Sequence, residues 1–255
     1  MNAVPSDFIE SVCRQFLHYN NDLIRTIQKL SGNYGHVAQN LVSYAHTNVY
    51  YIEDGCFTNS EALLCDDKRF VPISQLPKKY LIRNGVVLSG NLDDKTVKDG
   101  FKLPSIKGIN SMLRLDSSPI GPKWMGLLTS WKSLTMVELC VKLSPDVYPL
   151  IERLVDSYQL TLLTLENPPE DAKTRRLLTE LWLQDQFRVL GLAKQDQELW
   201  EMIWQERKYH GANFAGKIME FECLVEVEPV EGDHGLELEH YEVKDEWHTR
   251  ICFSR

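Results

Sequence analysis

Three leucine-rich triplets recur at nearly constant intervals in the second half of the chain, and that recurrence restricts the fold more than any other feature. Leu134, Val137 and Leu139 read L-x-x-V-x-L; Leu160, Leu163 and Leu165 read L-x-x-L-x-L; Phe187, Leu190 and Leu192 read F-x-x-L-x-L. The intervals are 26 and 27 residues. A weaker copy lies 24 residues upstream, at Asn110, Leu113 and Leu115, and a drifting one 31 residues downstream, at Ile218, Phe221 and Cys223.

Each triplet reads as a short strand with alternate apolar residues turned inward. Each is followed by a helix signal. Ser144-Pro145-Asp146 offers a cap and a proline at the first helical position, ahead of Val147, Leu150, Ile151 and Leu154 on one face. Asn167 with Glu170 three residues on has the layout of a capping box, ahead of Leu177, Leu178 and Leu181. Asp196 precedes Leu199, Met202 and Ile203, and Pro122 opens a segment bearing Trp124, Leu127, Leu128 and Trp131. A helix of about three turns returns the chain so that the next strand lies parallel to the last. One such unit cannot bury its apolar face alone, so neighbours must stack. The alternative is an ordinary α/β domain in which the leucines coincide.

The triplets and capped helices resemble the leucine-rich-repeat family, in its longer form with a full helix, over residues 108–216. The resemblance implies an α/β fold: a stack of parallel strand–helix units that binds other proteins. It departs from the family at the consensus asparagine, whose positions hold Lys142, Pro168 and Gln195, with Asn167 one residue early.

Residues 1–45 read as a helical module. Asp7 can cap with Glu10, and Phe8, Val12 and Phe16 follow at helical spacing. A polar break at Tyr19-Asn20-Asn21-Asp22 precedes a helix with Leu23, Ile27 and Leu30, and a third begins with Val37, Leu41 and Tyr44. Val4-Pro5, the apolar Phe8, Ile9, Val12 and Leu17, then Asp22-Leu23, and Ser31 with Tyr34 follow the order of a degenerate F-box, which this segment resembles. The resemblance implies docking on a Skp-type adaptor of cullin–RING ubiquitin ligases through Val4, Pro5, Phe8, Ile9, Val12, Leu17 and Leu23. An F-box-like head on a leucine-rich stack also resembles the nematode-type F-box-associated family. The alternative reading of 1–45 is a plain helical cap on the stack.

Residues 46–107 form a mixed connecting region. Val49 to Ile52 and Tyr80 to Ile82 read as strands, and Asp54-Gly55 and Asn84-Gly85 as hairpin turns. Residues 217–255 read as a C-terminal β meander: an alternating strand from Glu220 to Glu228, a turn at Glu231-Gly232-Asp233, then Leu236 to Val243 and Thr249 to Phe253. From Met219 to Glu246 there are eleven acidic residues and one basic one, Lys244, a net charge of −10 against −8 for the whole chain. Such a face protects a terminal strand from edge pairing; the alternative is an acidic docking surface for a basic partner. Either way it repels phosphate, so no nucleic-acid partner is expected.

No segment approaches eighteen uninterrupted apolar residues, which argues against a membrane partner, and the first residues lack the basic-then-apolar order of a secretory signal. Six scattered cysteines form no zinc-knuckle or redox spacing, and no Asn-x-Ser/Thr occurs, which together fit a cytoplasmic or nuclear protein.

The motifs of catalysis are missing. There is no Gly-x-Ser-x-Gly, no Gly-x-Gly-x-x-Gly and no Gly-Lys-Ser/Thr phosphate loop. His234, His240 and His248 lie among carboxylates without the spacing of a zinc helix. Cys13 and His18, five apart, fall on different sides of a helix. Asp66-Asp67 and Asp93-Asp94 read as loop carboxylates. Trp182, Trp200 and Trp204 read as packing between helices, or as anchors for a partner. The expectation is a non-enzymatic interaction module without cofactor or metal, a substrate-recognition subunit of a cullin–RING ligase. Its expected partners are a Skp-type adaptor and an unidentified protein substrate. A stand-alone scaffold and an enzyme with a dispersed site are the alternatives.

Overall fold

The structure is a computed structural model. It describes residues 5, 8–9, 12, 26–65, 68–97, 102–103, 109–167, 171–223, 235–243 and 246–253. Its centre is a mixed α/β arrangement around an eleven-stranded sheet that is mostly parallel.

The chain enters through α1 (Asn33–Tyr44) and then runs β1 (His46–Glu53), β2 (Cys56–Leu64), β3 (Phe70–Val71) and β4 (Leu81–Ser89). Four strand–helix units follow: β5 (Asn110–Leu115) with α2 (Pro122–Ser130), β6 (Leu134–Leu139) with α3 (Tyr148–Asp156), β7 (Leu162–Leu165) with α4 (Ala172–Leu183), and β8 (Val189–Leu192) with α5 (Gln197–His210). β9 (Ile218–Phe221), β10 (Leu236–Val243) and β11 (Glu246–Phe253) complete the sheet. The spatial order is β10-β11-β9-β8-β7-β6-β5-β4-β1-β2-β3. The run from β9 to β1 is parallel throughout, while β2, β3, β10 and β11 are antiparallel to their neighbours.

Each helical crossover advances the chain one strand in the same direction. Right-handed crossovers that all step the same way lie on one face of the sheet. The core agrees. Leu113, Leu115, Val137, Leu139, Leu163, Leu165, Leu190 and Leu192 are buried against Trp124, Leu128, Ile151, Leu154, Leu178, Leu181 and Ile203 of the helices. Leu134, Leu160 and Phe187, the first members of the three triplets, are fully buried where each chain segment enters its strand. At about 25 cal/mol per Å² of apolar surface removed from water, this continuous interior supplies most of the driving force for stacking.

The local signals place helix starts to within a few residues. Asp196 caps α5, with its carboxylate accepting the Leu199 N–H at 2.7 Å. α4 begins later than its proposed cap at Asn167. Its N-cap is Asp171, whose carboxylate accepts the Thr174 N–H at 2.8 Å and the Thr174 hydroxyl at 2.9 Å. The backbone hydrogen bond comes first among the causes that hold the Asp171 carboxyl below its usual range. α3 begins at Tyr148, because Ser144 and Pro145 are spent in a turn whose carbonyl at Ser144 accepts from Val147 and Tyr148. α2 is anchored from outside: Asp94 accepts the Lys123 N–H at 2.7 Å, and Trp124 Nε1 donates to Thr96 Oγ1 at 2.8 Å.

Asn84-Gly85 is not a turn. Both residues lie inside β4, paired to β1 on one side and β5 on the other. Hairpin chemistry is a local preference, and here two flanking strands override it. Asn48, Asn84 and Ser111 are buried side by side across β1, β4 and β5. That polar row separates the main core from a smaller cluster of Ile9, Ala38, Leu41, Ala45, Tyr80 and Ile82. The region 46–107 thus contributes four strands to the same sheet as the later units. The stretch from Leu224 to His234, and with it the expected Glu231-Gly232-Asp233 turn, lies outside the described residues.

Candidate functional site

The face of the parallel sheet opposite the helices carries no covering element among the described residues. Its side chains form rows that cross the strands, fixed by the pairing register. One row is apolar: Val49, Gly85, Met112, Met136, Leu162, Val189, Ile218 and Cys252. The next runs Tyr51, Val87, Arg114, Glu138, Thr164, Gly191, Glu220, Arg250 and Glu239. One step beyond the strand ends come Asp116, Cys140, Glu166, Ala193 and Glu222, whose N–H groups continue the ladder to the neighbouring strand.

The two ends of the sheet share one hollow of about 910 Å³. Thr47, Leu63, Lys68 and Phe70 line it from the β1–β3 end, and Ile218, Arg250, Cys252 and Glu239 from the other, with Met112 and Arg114 between. Strands so far apart in the order meet at one cavity only if the sheet curves, so this open face is its concave side.

Arg114 is the centre of the charged band. Its guanidinium donates to Glu138 at 2.7 Å and to Asp116 at 2.9 Å, and lies 3.6 Å from Glu166. Burial holds the Glu138 carboxyl above its usual range against the pull of Arg114, and Glu166, Asp116 and Glu222 push the same way as burial. A second pair sits on β11, where Arg250 donates to Glu220 at 2.9 Å and reaches Glu239 at 3.5 Å. Along this band Asp116, Glu138, Glu166, Glu220, Glu222 and Glu239 outnumber the two arginines. The opposite rim carries Arg83 and Lys68.

Glu138, Cys140 and Glu166 present their ligand atoms within 4.8 Å of one another, the set among the described residues closest to a metal-binding arrangement. Arg114 already supplies the cation there. Burial, followed by hydrogen bonds to Glu166 and Asp116, pushes the Cys140 thiol far above its usual pKa. A thiol held protonated is a poor nucleophile.

The other sequence candidates lie apart. His240 and His248 point to opposite faces of the β10–β11 hairpin: His240 Nδ1 is 3.1 Å from Thr249 Oγ1, and His248 stacks on Tyr241. His234, Cys13, His18, Asp66 and Asp67 lie outside the described residues. Trp182 is fully buried against Phe187, Phe214 and Phe253, and Trp200 stacks on Trp204 at the edge of the same core.

Of the proposed adaptor contacts, Val4, Leu17 and Leu23 lie outside the described residues. Pro5 is exposed, and Phe8 is 60% exposed. Val12 is half-buried, and Ile9 is buried in the small cluster with Leu41 and Tyr80, so its surface faces the chain's own interior. The repeat residues Leu113, Leu115, Leu134, Val137, Leu139, Leu160, Leu163, Leu165, Phe187, Leu190 and Leu192 are all buried on or beside the helix-facing side and do not reach the concave surface.

Sequence reasoning missed Arg114, Glu138 and Glu166, which lie 24 and 28 residues apart in the chain. A signal existed: each occupies an outward position of its unit, next to a buried leucine. It also missed Lys217, which is fully buried and donates from Nζ to the carbonyls of Trp182 and Gln184 at the C-terminal end of α4. Among the described residues no helix is long and apolar enough to cross a membrane. No family model, no curated protein and no solved structure matches the chain.

Proposed function

We propose that the protein is a non-enzymatic recognition module that holds another protein on the concave face of its sheet. The observation that carries this reading is the combination on that face of a partly buried apolar row that no described helix covers with a band of carboxylates in excess over arginines. Parallel sheets in folded domains normally have both faces covered. A face left open and half apolar is an interaction surface in waiting. The stacked units fit the leucine-rich-repeat resemblance in their order and spacing. The protonated Cys140 thiol and the internally neutralised Arg114 favour binding over catalysis.

The reading extends to a substrate-recognition subunit of a cullin–RING ligase. The F-box resemblance of residues 1–45 supports it, as does the exposed Phe8 beside the buried Ile9. Free thiols at Cys56, Cys65, Cys140, Cys223 and Cys252 fit a cytoplasmic or nuclear home. Tethering would then act by raising the effective concentration of a target near the ubiquitin-charged enzyme.

Two measurements test this. Affinity capture with the wild-type chain and with Leu162→Asp should differ in the proteins retained; equal retention sinks the recognition face. Co-purification with a Skp-type adaptor should be weakened at least about tenfold by Phe8→Asp, the loss expected from one buried aromatic contact. Adaptor binding that ignores the substitution sinks the ligase role.

A further inference from the structure

Resting on the recognition reading above, we infer that the occupant of the concave face is an amphipathic helical segment with basic residues along one side. Three features of the surface point to that chemistry.

The first is charge. The band at the strand ends sets Asp116, Glu138 and Glu166 around a single guanidinium, Arg114, and the charge of Glu222 acts on Glu138 from farther along it. Among the described residues the carboxylates of this band outnumber the guanidinium they meet, and Arg114 shows that a guanidinium fits among them. A lysine or arginine from a partner completes the pairing, and burial of the band strengthens it relative to open water.

The second is the neighbouring row. Met112 and Met136 lie two residues before Arg114 and Glu138, and Leu162 and Ile218 four before Glu166 and Glu222, with Val189 between them in the same row on the same face. A partner that spans both rows needs aliphatic side chains beside its basic ones. Met112 and Met136 suit varied aliphatic shapes, since unbranched thioethers adapt to what they meet.

The third is the backbone. The strands of the parallel run from β9 to β1 are each paired on both sides, so the face between them offers a partner no strand edge. An extended segment laid there would lose water from its own backbone without replacement. A helix satisfies its backbone internally. Met112, Arg114, Asp116 and Ile218 of these rows line the hollow of about 910 Å³, which accommodates roughly two turns of helix with their side chains. Arg83 and Lys68 at the opposite rim bias the basic side of that helix toward the carboxylate band.

The test uses the full chain and a displayed library of random peptides about 16 residues long, long enough for roughly four helical turns. Selected peptides are counter-screened on Leu162→Asp, and on Glu166→Lys, whose exposed position spares the fold. Thermal melts confirm that both variants are folded. The expected result is enrichment of sequences with aliphatic residues three and four apart flanked by lysine or arginine. Glu166→Lys should weaken their binding at least about tenfold, and a proline placed at mid-peptide should do the same. Peptides that need Leu162 but are acidic, or that tolerate the proline, overturn the helical basic occupant and leave protein recognition by this face standing. If no selected peptide depends on Leu162, both fail.

Discussion

Arg175 on α4 grips Asp196 at the start of α5 with two nitrogens: Nε lies 3.0 Å from one carboxylate oxygen, and the terminal nitrogen 3.0 Å from the other. The same carboxylate caps α5 through the Leu199 N–H. One side chain therefore both starts a helix and ties it to the helix of the preceding unit. Their side chains are only 15% and 9% exposed, so solvent does little to screen the pair. Stacking here is cooperative through a polar contact as well as through the leucine interior.

Asp196→Ala should accordingly cost more than an ordinary cap. Loss of the cap accounts for about 1 kcal/mol, and loss of the charged hydrogen bonds to Arg175, which keeps its contact with Glu198 at 2.8 Å, adds about 1.5–3 kcal/mol. Urea unfolding should show a total loss of roughly 2–4 kcal/mol. Asp196→Asn, which can still cap, should lose less. Equal losses for the two variants would mean that the cap contributes nothing, and no loss in Asp196→Asn would mean the same of the ion pair.

Leu162 and Leu163 are neighbours in β7 on opposite faces. Leu163→Ala should destabilise by about 2–5 kcal/mol because it leaves a cavity in the packed core. Leu162→Ala should cost less than about 1 kcal/mol, because its side chain stands on the concave surface. Chemical denaturation of the two variants side by side checks the alternation of the strand.

Burial, helped by the charge of Arg188, lowers the Lys217 pKa to about 8 from its ordinary 10.5. In the unfolded chain the amine keeps its proton up to the ordinary value. Between pH 8 and 10.5 the unfolded state therefore binds more protons than the folded one, and stability rises with pH by up to about 1.4 kcal/mol per unit. That gain is complete above the upper limit and lost as pH falls to the lower one. Lys217→Met should flatten this part of the stability–pH curve, measured by urea unfolding in steps from neutral pH upward. An unchanged slope would show that Lys217 does not titrate there.

Cys140 should be the slow thiol. Its raised pKa leaves little thiolate, whereas Cys56 is exposed. Alkylation with iodoacetamide at mildly alkaline pH, followed by peptide mass spectrometry, should modify Cys56 at least about tenfold faster, since only the thiolate reacts. Faster labelling of Cys140 would reopen the Glu138–Cys140–Glu166 cluster as a reactive site.

Much of the architecture was readable along the chain because its causes are local. The triplets name the buried positions, and strand periodicity predicts which side they face. Asp196 stands just ahead of the apolar stripe of α5, and its hydrogen bond to the Leu199 N–H makes it the cap. The cap of α4 was misplaced because Asn167 and Asp171 offer similar chemistry, and only the hydrogen bonds to Thr174 distinguish them. Asn84-Gly85 misled for the opposite reason: its local preference for a turn yields to pairing with β1 and β5.

By itself, the order of residues determined that strands and helices would alternate, which leucines they would bury and roughly where each helix would begin, since these follow from periodicity and capping within a few residues. The tertiary structure alone decided that β1 and β4 join the same sheet, that the sheet curves around a hollow, and that Arg114 meets Glu138 and Glu166. It also decided that Lys217 ends a helix closed more than thirty residues earlier. Those outcomes depend on register between distant strands. Shifting that register by one residue would exchange the concave face for the core, and no local pattern records it.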